Sequence, residues 1–136
     1  MLLSPYLLLL AASLAIGPTG PSSIDISANH GTVYQTNKEG KPTQGFLQIH
    51  NTGAADTLTG VNCPIADTSS LVGPDNQPIA NLGIPAKQDV VLAPNGPHIL
   101  LQNTHFSVQF GSIVPCSLTF RGAGVVSVYL YAKPAP

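Results

Sequence analysis

A chain of 136 residues is one domain's length, and its 5 Lys+Arg against 6 Asp+Glu (8% charged, formal net charge −1) remove the basic surface that nucleic-acid backbones demand. Its 43% hydrophobic residues exclude disorder, while 13 Gly and 13 Pro interrupt long helices, so an all-β fold is expected.

In chain order, the first element is a leader. Leu2 to Ile16 is apolar except for Ser4 and Pro5 and stops at Gly17-Pro18, which is the pattern of a secretory signal and too short to span a bilayer comfortably. Residues 1–22 are therefore expected to be removed on export; the alternatives are an uncleaved anchor or a start codon placed too late. No Cys lies near the leader to carry lipid, and residues 23–136 should form one β-sandwich with no membrane span. Short segments alternating apolar and polar residues predict strands at 23–27, 32–35, 45–50, 58–63, 89–92, 98–101, 106–110, 113–120 and 125–132. Turn residues separate them at Asn51-Thr52-Gly53, Pro94-Asn95-Gly96-Pro97, Gly111-Ser112 and Arg121-Gly122-Ala123-Gly124. The stretch 69–85, with Gly73-Pro74, Asp75-Asn76, Pro78 and Gly83, reads as a long loop, where such folds usually place function.

The two cysteines, Cys63 and Cys116, fall on the apolar phase of their segments, so both sulfurs are expected on buried faces. In an oxidising compartment they would form a disulfide across the sandwich, worth roughly 4 kcal/mol by loop-closure entropy; the alternative is two separate core thiols. Catalysis finds little support. There is no nucleophile elbow or phosphate loop, and Asp25, Glu39, Asp56, Asp67, Asp75 and Asp89 are scattered among turns, so no enzyme is expected. The histidines, His30, His50, His98 and His105, form no local metal-ligand pair; His50 should face solvent, and His30 and His105 should be loop residues.

From Gly45 onward the sequence resembles the periplasmic PCu(A)C copper chaperones. Three blocks carry the likeness: the segment from Ile49 through Asn51-Thr52-Gly53 to Val61; Ile84-Pro85-Ala86 with Leu92-Ala93-Pro94-Asn95-Gly96-Pro97-His98-Ile99-Leu100; and Gly111 to Phe120. The resemblance implies a cupredoxin-like Greek-key β-sandwich. It also implies a secreted, periplasmic chaperone that binds Cu(I) and passes it to an oxidase subunit or another copper carrier. That family binds copper through His-x10-Met-x21-His-x-Met, a donor set suited to a soft ion. Only His98 matches. The other three ligand positions hold Val72, which follows Thr68-Ser69-Ser70-Leu71, Asn76 and Leu100, and the sole methionine is Met1. Asp67 and Asp75 would flank the site with hard oxygens. Two functions follow: a copper-chaperone relative with a degraded Cu(I) site around His98, or a metal-free binding module that engages a protein partner through the 69–85 loop.

Overall fold

The computed structural model describes residues 25–136, so the whole of the expected leader, residues 1–22, lies outside the described residues. Nine strands follow one another: β1 (Ile26–Tyr34), β2 (Thr43–Asn51), β3 (Asp56–Asn62), β4 (Ala66–Val72), β5 (Leu82–Ile84), β6 (Asp89–Leu92), β7 (His98–Thr104), β8 (Ile113–Phe120) and β9 (Gly124–Lys133). No helix occurs among the described residues.

The strands form one sheet in the order β4-β7-β2-β1-β9-β8-β3-β5, with β6 added alongside β2. The sheet curls into a sandwich because β1 belongs to both layers. It pairs antiparallel with β2 from Ile26 onward, and Thr32–Tyr34 also pair parallel with β9. Between them the register shifts, with His30 at φ 56°. Sequence alternation predicts two strands in this region; the structure has one bulged strand, since a bulge breaks the period without ending the pairing. Gly31 is required beside the bulge, where a Cβ would lie 2.3 Å from the Tyr129 carbonyl oxygen.

Leu47, Ile49, Ile99 and Leu101 from one layer meet Leu58, Leu118, Phe120 and Leu130 from the other, all buried. At roughly 1.5–3 kcal/mol per fully buried large aliphatic or aromatic side chain, this core is the main favourable term in folding. Asp56 fastens the second layer. Its carboxylate accepts hydrogen bonds from the amides of Thr57, Gly122 and Ala123, tying the start of β3 to the β8–β9 turn.

Three sequence expectations need correction. Residues 106–110 are not a strand: Val108 is buried and exchanges hydrogen bonds with Thr36, but Phe106 and Phe110 are exposed, so the alternation there is not a buried face. The 69–85 stretch is less loop than expected, because it contains the end of β4 and all of β5. Ser69 and Ser70 give no apolar alternation, since an edge strand needs little apolar content. Finally, Cys63 and Cys116 are bonded, but not across the sandwich. β3 and β8 are antiparallel neighbours through Val61↔Leu118 and Asn62↔Ser117, and the cysteines sit at the next step of that register.

Candidate functional site

The carried-over ligand positions lie at one end of the β4–β7 ladder. Val72 is the last residue of β4 and pairs directly with His98, the first of β7; Leu100 lies two residues further on, opposite Ser70. Beyond Val72 the chain turns back within a few residues, closed by the Gly73 amide on the Gln77 carbonyl and the Asn76 amide on the Gly73 carbonyl. Asn76 adopts φ 62°, a left-handed conformation that Asn tolerates better than most residues. The tightness of this turn brings its side chain over the imidazole.

His98 is buried, with 1% of its surface exposed. Its Nδ1 lies 3.0 Å from the Gly96 carbonyl oxygen in the β6–β7 turn, and its Nε2 lies 2.8 Å from Asn76 Oδ1. A ring carrying both protons donates to both oxygens. A ring carrying one donates to Gly96 and accepts from the Asn76 NH₂ once that amide is turned over, so the pair is satisfied in either state. Phe46 packs on the ring with centroids 5.9 Å apart, and Phe46 in turn meets Tyr34 at 5.0 Å. Lys133 Nζ lies 5.6 Å and 5.8 Å from the Tyr34 and Phe46 ring centroids. The imidazole therefore sits beneath a polar cap and beside an aromatic cluster.

The spatial convergence of Val72, Asn76, His98 and Leu100 supports the sequence correspondence, but their chemistry does not make a Cu(I) site. A soft cation wants thioether and imidazole donors, and the surroundings offer an isopropyl group, an amide and an isobutyl group. Among the described residues no group of three or more His, Cys, Asp or Glu could hold a metal ion. The expected hard-oxygen flank also fails: Asp75 bonds the Gln77 amide within the turn, and Asp67 stands at the far end of β4. There Asp67 meets His105 Nε2 at 2.7 Å and takes a further hydrogen bond from Asn103. Those two hydrogen bonds, His105's first, hold its carboxyl below the ordinary carboxylate range. His50 is on the solvent face with Asp89 2.5 Å away, and His30 is exposed beside Asn29. Sequence reasoning missed the Asn76–His98 contact, although the 22-residue offset that identifies Asn76 as a ligand position was its signal.

Residues 26–131 match the family model described as "Putative lipoprotein LpqE-like". No curated protein matches the chain. Among solved structures, the copper-bound PCuAC domain from PmoF2 aligns with TM-score 0.73 at 18% identity, covering 87% of this chain and 100% of that one. The apo PCuAC domain from PmoF1 aligns with TM-score 0.73 at 20% identity, over 87% and 98% of the two chains. The Cu(I) form of DR1885 from Deinococcus radiodurans aligns with TM-score 0.61 at 17% identity, over 90% and 85%. At these identities the likeness establishes a shared fold.

Proposed function

Since the chain belongs to the LpqE-like family and has the fold of PCuAC domains, we propose that it is an exported, non-catalytic protein of the copper-chaperone type whose own Cu(I) position has been closed by its side chains. One observation carries this reading. The imidazole in the ligand position is buried, and both its nitrogens are taken by the Gly96 carbonyl and the Asn76 side chain. Copper would have to displace Asn76 to reach Nε2 and would then find one nitrogen, with no thioether nearby.

The leader expected at residues 1–22 and the Cys63–Cys116 bridge support an oxidising compartment outside the cytoplasm, the periplasm in a cell that has one. A place in copper delivery to an oxidase subunit or to another carrier then rests on binding that partner, not on carrying the ion through His98. The protein works as a metal-free binding module on a copper-chaperone scaffold.

Competition titration of the domain against a Cu(I) chelator tests the reading. Binding should be weak and should vanish in His98→Ala. Asn76→Met and Leu100→Met should raise affinity stepwise, and Val72→His should add to them, although the short turn and the φ of 62° at residue 76 keep the rebuilt site imperfect. Tight Cu(I) binding by the unmodified chain, indifferent to His98→Ala, would show that copper uses other ligands and that the position was wrongly carried over.

A further inference from the structure

Six of the seven large hydrophobic side chains that the described residues expose belong to one segment: Phe106, Phe110, Ile113, Val125, Tyr129 and Tyr131. Phe106 and Phe110 stand 65% and 73% exposed in the β7–β8 connection. The others lie on the outer face of the β8–β9 hairpin, where Ile113 is directly opposite Tyr131 and Pro115 opposite Tyr129. Phe106 and Ile113 line one depression of about 200 Å³, which makes loop and hairpin a continuous surface. A side chain of this size held in water gives up stabilisation that burial would provide, so such a concentration marks a contact surface.

The charges say what the surface meets. After Asp89 the chain contains no Asp or Glu, while Arg121 follows β8 and Lys133 closes β9. By strand rise these two cations stand roughly 30 Å apart, one at each end of the aromatic stripe. The hairpin itself carries no acid: Asp56 is buried on backbone amides, and Asp67, half exposed beside the Phe106 end, is bonded to His105 and Asn103. A second copy is a poor occupant, because a two-fold pairing of the hairpin stripe with itself sets cation against cation, and the hairpin carries no carboxylate to separate them. The complement is a flat surface, apolar within and anionic at its boundary, which is an anionic lipid bilayer. Tyrosine suits the headgroup level, with its ring in the apolar zone and its hydroxyl in water.

We propose that the β8–β9 face and the Phe106–Phe110 loop dock this domain peripherally on anionic membrane. The phenylalanines enter the boundary of the acyl region, Tyr129 and Tyr131 lie at headgroup depth, and Arg121 and Lys133 meet lipid phosphates. The inference is independent of copper and of the state of His98.

Hydrogen–deuterium exchange of the full chain with vesicles of phosphatidylcholine and phosphatidylglycerol tests it, because peptide-level protection separates this face from any binding by residues 1–24. Protection should appear across 106–133, weaken with added salt and be lost on phosphatidylcholine alone. Phe106→Ser with Phe110→Ser, both at exposed positions, should lower vesicle affinity through this face roughly tenfold, with an unchanged unfolding midpoint as the control for folding. Tyr131→Asp should lower it further. Vesicle binding without protection at 106–133, or equal protection without vesicles that rises with protein concentration, would overturn the proposal; the latter would assign the face to self-association. Protection produced only by a soluble protein partner would overturn it as well.

Discussion

Each end of the β4–β7 ladder carries an imidazole bonded to a side-chain oxygen, an amide's at one end and a carboxylate's at the other, in opposite surroundings. At one end His98 meets Asn76 and is 1% exposed; at the other His105 meets Asp67, with side chains 47% and 53% exposed. The ladder runs from Val72↔His98 to Ala66↔Thr104, with His98 its first residue on β7 and His105 one residue beyond its last. What differs is access to water. A buried imidazole must have its hydrogen bonds supplied by the protein, so His98 and its two partners behave as a structural unit. An exposed imidazole exchanges its partner for solvent at little cost, so the His105–Asp67 contact moves a titration more than it holds the fold.

The largest test of this contrast is His98→Ala. It should cost about 2–4 kcal/mol, since it empties a packed site beside Phe46 and leaves the Gly96 carbonyl without its donor. A matched drop in urea midpoint measures it; a change no larger than that of His105→Ala would erase the distinction. Next is Asn76→Ala, expected to cost about 1–3 kcal/mol through the lost hydrogen bond and the left-handed φ that Ala resists. Proton–deuteron exchange of the His98 ring should then quicken, because the cap over Nε2 is gone. No quickening would mean that the turn excludes water without Asn76. The smallest effect belongs to the exposed end. His105→Ala should leave the unfolding midpoint essentially unchanged while the Asp67 carboxyl, followed by carbon NMR, titrates closer to its ordinary value. The sign follows from a folded carboxyl held below its ordinary, unfolded range. The stabilisation is present above that range and lost as pH falls through the lower folded one, and the variant should keep only the smaller part of this acid dependence that Asn103 supplies.

Legibility differed by region for physical reasons. The alternation of Val114, Cys116, Leu118 and Phe120 marked β8 with its correct bounds, because a strand with one buried face writes a period of two into the sequence. The same rule mistook Phe106, Val108 and Phe110 for a strand, since only Val108 faces inward. It passed over Ser69 and Ser70, whose strand lies at the edge of the sheet. For the candidate site, the offset between residues 76 and 98 was readable, but the hydrogen bond between them was not. That bond depends on how sharply the chain turns after Val72.

By itself the sequence determined that this protein is all-β, that the positions matching the family's copper motif hold no thioether and one imidazole, and that its cysteines lie on inward-facing phases. These follow from residue chemistry and strand period, which are local. The tertiary structure alone decided that the cysteines are neighbours within one layer, that Asn76 caps His98, and that the exposed large apolar side chains gather around the β8–β9 hairpin. Those are matters of register and curvature, set where β1 bulges, β3 meets β8 and the sheet closes on itself, and no local pattern encodes them.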